Sequence, residues 1–156
     1  MEHLTDIAYL IFRISYSIVF LNAAWQCGKS KAGIQWTIDE SRILFGKAAP
    51  LFGVAGIFVM GFGGLSVLLG IYPEIGGLML GLFVLPGAII HHRKQKESQS
   101  LGGELGANDN QKVQMLTALA SLGHYSSAMK NYSLCGPGIF LALTGGGAWV
   151  IVSLWS

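Results

Sequence analysis

The sequence predicts an all-α membrane protein: a four-transmembrane-helix bundle with two polar cytoplasmic loops. Three observations predict it. Of 156 residues, 52% are hydrophobic and only 12% charged, about half the charged share of ordinary soluble domains. Between Pro50 and His92 the only Asp, Glu, Lys or Arg is Glu74. That apolar stretch is broken once, at Tyr72-Pro73-Glu74, into two pieces of bilayer length. At about 1.5 Å of rise per residue, Leu51–Ile71 spans roughly 31 Å and Ile75–His92 roughly 27 Å, against a hydrocarbon core of about 30 Å.

Composition also bounds function. The net charge of +2 comes with no basic stripe interleaved with aromatics, so nucleic acid is not an expected partner. The two cysteines, Cys27 and Cys135, form no CxxC pair, and a zinc finger is excluded by count. The 22 glycines read as sites where helices approach closely.

The chain is one membrane domain with spans at about 7–25, 51–71, 75–92 and 129–154 and loops at 26–50 and 93–128. The first span, Ile7–Trp25, does not read as a signal peptide, because Glu2 and Asp6 replace the usual basic flank and Arg13 interrupts the apolar run. Arg13 lies about two turns into that span. There it is either bonded within the protein or turned toward a ligand, headgroup or partner subunit. Asn22, nearer the other end, is expected to bond between helices. In the loop 26–50, Gln35–Phe45 is expected to form a short helix on the membrane surface, with Trp36, Ile43, Leu44 and Phe45 dipping in.

The second span carries Ala49, Gly56, Gly63 and Gly70 at intervals of seven, which lines one face with small residues. In the third, Gly77 and Gly81 form a GxxxG step, and Pro86 removes one helix donor. His91-His92-Arg93-Lys94 ends it. Adjacent histidines do not share a helix face, so no metal is expected there. Val113–Leu122 is short and flanked by glycine, fit for a surface or re-entrant helix. The fourth span begins near Lys130-Asn131 and is packed through Gly138, loosened by Pro137 and Gly145-Gly146-Gly147, and ended by Trp149 and Trp155. Apart from Arg13, every Lys and Arg falls in the two loops or, as Lys130 does, at the adjoining start of the fourth span. The positive-inside rule then puts both long loops in the cytoplasm and both termini on the opposite side.

This pattern resembles the DoxX/DoxD-like family of small four-helix membrane proteins. The residues that carry the likeness are Arg13 in an apolar first helix, Gly28-Lys29 after it, Ala55-Gly56 followed by Gly63-Gly64, His91 closing the third helix, and Lys130-Asn131 ahead of Gly136-Pro137-Gly138. One departure is clear. The family's glutamate before the paired glycines has no counterpart here, where the sequence reads Val59-Met60-Gly61. The resemblance implies association with redox systems of a bacterial cytoplasmic membrane.

No Ser/His/Asp or Cys/His constellation, phosphate loop or metal-ligand spacing is evident. The expectation is a non-catalytic integral subunit of a larger redox complex (respiratory, photosynthetic or thiosulfate/quinone-linked) that packs against the bilayer and other membrane subunits. The alternatives are the quinone-reactive subunit of an oxidoreductase, or a binder of lipid or another small hydrophobic molecule. No cofactor is expected beyond a quinone or lipid ligand. The candidate contact residues are Arg13, Tyr16, His91, His92, Tyr125 and Lys130. The candidate packing residues are Gly56, Gly63, Gly70, Gly77, Gly81 and Gly138.

Overall fold

The computed structural model describes residues 2–105 and 110–154, with only the backbone of Glu2. Five α-helices follow one another: α1 (Glu2–Gly28), α2 (Lys31–Phe45), α3 (Ala49–Leu69), α4 (Pro73–Glu104) and α5 (Gln111–Thr144). A single 3-10 turn, Gly46–Ala48, joins α2 to α3. Four of the helices are long. Three helical runs are long and apolar enough to cross a membrane: α1, α2 continued into α3, and α4.

Burial follows the helical period. On α1 the inward stripe is Arg13, Tyr16, Ser17 and Phe20, while Ile7, Ile11, Ile14 and Ile18 face outward. On α3 the buried positions Ala49, Gly53, Gly56, Met60, Gly63 and Val67 alternate four and three apart, the spacing of one helix face. Tyr16, Phe20, Met60, Val67, Leu80, Val84 and Leu141 make the core.

Glycine sets how closely the helices approach. A Cβ on Gly77 would lie 2.7 Å from Leu141 Cβ, and one on Gly138 would lie 2.6 Å from the Gly77 carbonyl oxygen and 2.7 Å from Gly81 Cα. Thus α4 and α5 meet backbone to backbone. On α3, Gly56 makes room for the Phe83 ring and Gly63 for Leu80. Gly70 has another task. It is the left-handed C-cap of α3, with φ of 69°, and not a span-packing glycine of the seven-residue series.

Several expected boundaries shift. The segment 26–50 is not a loop, because α2 occupies most of it. Ser30 caps its first turn by accepting a hydrogen bond from the Gly33 N–H at 3.0 Å. The segment 93–128 is likewise helical on both sides, since α4 continues to Glu104 and α5 starts at Gln111. Arg93–Glu104 is polar, but it packs along α5, with Gly102 close to Thr117 and Gln99 bonded to Ser121. This tertiary pairing supplies what local apolarity does not. Pro86 lies inside α4 without ending it. The expected span 129–154 is helical only to Thr144. Gly145 and Gly147 take φ of 71° and 81°, which turns the chain into a non-helical strap over 145–154. Trp155 lies outside the described residues.

The glycine contacts give a direct test. Gly138→Leu should destabilise the protein by about 1–3 kcal/mol or more, because no backbone space exists for the side chain. Gly136→Ala, one turn face away with nothing within 4 Å of a built Cβ, should leave stability unchanged or slightly raised. Reversible unfolding in detergent would compare the two.

Candidate functional site

The most connected polar group is Arg13. The residue is 2% exposed, and all of the guanidinium's hydrogen bonds among the described residues go to backbone carbonyls. Nε donates to Val67 O at 2.8 Å, and one terminal nitrogen to Leu68 O at 2.9 Å. The other donates to Trp149 O at 2.6 Å and more weakly to Gly146 O at 3.4 Å. Val67 and Leu68 are in the last turn of α3, whose carbonyls lack partners within the helix. A fixed positive charge there also favours the negative end of the helix dipole. The glycine run allows the strap to reach it. A Cβ at Gly146 would strike Val150 and Pro73, and one at Gly147 would strike Tyr9.

The strap is bonded on its other side to the α3–α4 turn. Ile151 N–H and Val152 N–H donate to Gly70 O, at 2.8 and 3.1 Å, and Tyr72 N–H donates to Val152 O at 2.8 Å. Tyr72 takes φ of 49° at this junction. The Ser66 hydroxyl bonds the Ile71 and Tyr72 carbonyl oxygens at 2.7 and 3.0 Å. Glu74, in the first turn of α4, is buried. Its Oε1 accepts from the Ser153 hydroxyl and from Leu154 N–H. Its Oε2 is buried with no partner among the described residues. Asp6 accepts from Ala148 N–H at 3.3 Å, which ties α1 to the same place. Both chain ends and the α3–α4 turn therefore gather at one end of the bundle.

The second polar cluster lies at the opposite end. His91 is 18 residues along α4 from Pro73, about 27 Å of helix. Its Nδ1 lies 3.3 Å from Nδ1 of His124 on α5, so one ring donates and the other accepts. The His92 ring centroid is 5.9 Å from that of Tyr132. Lys94 pairs with Glu40 of α2, and Arg93 donates to Ile43 O at 2.8 Å, closing the C-terminal end of α2. Beyond this cluster an open groove of about 710 Å³ runs between α4 and α5. Gln95, Gln99, Gln114, Thr117, Ser121 and Tyr125 line it.

The six candidate contact residues therefore divide. Arg13 stands at one end, held by the protein itself. Tyr16 is in the core, where its hydroxyl donates to Leu134 O at 3.0 Å in the turn before Pro137. His91, His92, Tyr125 and Lys130 belong to the other end, and Lys130 is exposed. No single pocket unites the six. Asn22 is exposed rather than buried between helices. Among the described residues both cysteines are free, and no group of three His, Cys, Asp or Glu side chains gathers to hold a metal.

Sequence reading passed over Glu74, Glu40 and His124 as partners. Glu74 looked like a turn charge, since its donors come from the strap. The signal for the strap was available in Gly145-Gly146-Gly147, a run that stops a helix more readily than it softens one. No protein family matches this chain, and neither a characterised protein nor a solved structure matches it.

Arg13→Ala should leave the α3 carbonyls and the strap without donors. The expected loss is on the order of 3 kcal/mol. Amide exchange should accelerate most at Tyr72 and Val152, whose N–H groups the strap protects. Unchanged exchange at those two amides would show that the strap holds without the guanidinium.

Proposed function

We propose that this chain is a non-catalytic integral membrane subunit of a larger complex. In this reading α5 is the fourth span, α2 and the α4–α5 connection face the cytoplasm, and both chain ends lie on the other side. The redox character of the complex, whether respiratory, photosynthetic or linked to thiosulfate or quinone, comes from the DoxX/DoxD-like resemblance, as does a bacterial cytoplasmic membrane.

One observation supports the subunit role above the others. About twenty residues of α4 suffice to cross a hydrocarbon core, and α4 has 32. The α4–α5 hairpin therefore projects beyond the bilayer. On that projection Met115, Leu116, Leu119 and Leu122 are exposed. Their spacing sets them along one side of α5. Exposed apolar stripes of this kind outside lipid mark surfaces that a partner covers. The two buried charged groups, Arg13 and Glu74, are bonded to the strap and the turn rather than turned toward a substrate.

A second reading is favoured by a separate feature. An apolar groove of about 460 Å³ lies between α1 and α5, lined by Thr5, Ala8, Tyr9, Phe12, Pro137 and Phe140. It suits a small hydrophobic molecule entering sideways from the membrane.

The test is extraction of the tagged full chain in mild detergent, with a photo-crosslinking residue at position 119. The expected result is a crosslinked membrane-complex subunit. Its recovery should fall at least about fivefold in a Leu116→Gln/Leu122→Gln variant of unchanged thermal stability. A protein that extracts alone, with no crosslink from position 119, would refute the subunit role.

A further inference from the structure

Nine of the ten Lys and Arg residues lie in 29–47 and 93–130, with five of the eight acids, which gives that end a formal charge of +4. The remainder of the chain holds Arg13, Glu2, Asp6 and Glu74, a formal charge of −2. That figure is already net of the five acids, two of which pair directly with cations. Among the described residues the ion pairs are Arg42 with Asp39 and Lys94 with Glu40. Lys29 donates to the uncharged Gln26 amide oxygen. Lys31 and Lys47 are exposed and unpaired, and Arg93 bonds a backbone carbonyl.

We propose that Lys29, Lys31, Lys47 and Arg93, arranged around α2, form a collar that binds anionic phospholipid headgroups. The geometry favours lipid over an acidic protein. The start of α2 is beside Gly28, whose Cβ would lie 3.3 Å from Ile57. Its end stacks Phe45 on Phe52, with ring centroids 4.0 Å apart. From the level of Ile57 to that of Phe52 is a descent of about 8 Å along α3. That matches the depth of one interfacial layer, roughly 5–8 Å. Beyond the level of Ile57 the outward face of α3 is apolar, with Phe58, Phe62 and Leu65 exposed. Trp25 and Trp36 stand 67% and 57% exposed beside the cations, as indole rings do at headgroup depth. Lys29 and Lys31 stand at the start of α2, and Lys47 and Arg93 at its end, so the cations are spread along the helix. Each is placed to meet a phosphate of the surrounding leaflet.

The experiment is native mass spectrometry of the full-length protein from neutral detergent, titrated with phosphatidylglycerol, phosphatidylcholine or glycerol phosphate. The expected result is at least about fivefold more bound phosphatidylglycerol than phosphatidylcholine, with no retention of free glycerol phosphate. A Lys29→Gln/Lys31→Gln/Lys47→Gln variant with wild-type helicity should bind the two lipids equally. Lys112→Gln, on the projecting hairpin, should keep the preference. Three results would overturn the proposal: equal lipid binding by the wild type, a preference retained in the triple variant, or retention of glycerol phosphate as strong as that of the lipid. An acidic protein that co-purifies and displaces phosphatidylglycerol would also overturn it.

Discussion

The fold depends on one guanidinium serving two backbone ends. Helix α3 stops at Leu69 with the Val67 and Leu68 carbonyls lacking partners within the helix, and the strap leaves the helical path at Gly145 with the Gly146 and Trp149 carbonyls likewise outside any helix. Away from water, such groups are costly to leave without donors. Arg13 supplies donors to both at once, because its planar fork presents several N–H groups from a single side chain. A lysine could not reach acceptors spread over Val67, Leu68 and Trp149 in the same way. The isolated positive charge is tolerated because it meets a helix C-terminus and a set of carbonyl dipoles instead of a carboxylate. Main chain takes the place beside this buried arginine that a carboxylate ordinarily takes.

The two ends of the bundle are built on opposite principles. The end with the chain termini is closed by backbone hydrogen bonds, a buried arginine and a buried carboxylate. The other end is assembled from side chains: the His91–His124 contact, the Lys94–Glu40 pair and Arg93 on the end of α2. The first is rigid by construction. The second is open, polar and followed by a long projection. Between them, glycine on α4 and α5 removes the side chains that would hold two helices apart. The closest helix pair in the molecule is thus also the one that extends furthest beyond it.

Much of this was legible in the sequence, for identifiable reasons. The hairpin of α3 and α4 was visible because apolar length is a strong signal. The inward faces of α3 and α4 were visible because glycine at intervals of three, four and seven leaves few alternatives. The short helix after α1 was visible through Trp36, Ile43 and Phe45, although its start was placed four residues late. The strap was not visible, since its backbone partners at Gly70 and Tyr72 are some eighty residues away. The hairpin projection was missed because Arg93–Glu104 is polar and glycine-bearing, and only its pairing with α5 makes it helical. For Arg13, the sequence showed that a buried cation needs partners but could not show that they would be carbonyls.

The separation between Arg13 and its acceptors along the chain has a consequence for biosynthesis. The Val67 carbonyl follows it by 54 residues and the Trp149 carbonyl by 136. At roughly 5–20 residues per second of translation, the last acceptor is made about 7–27 s after the arginine. Through that interval the nascent first helix carries a cation whose coordination is incomplete. Burial of that charge is thus completed only once Trp149 has been made, and a chain released before it would hold a charged helix with nowhere to set it down.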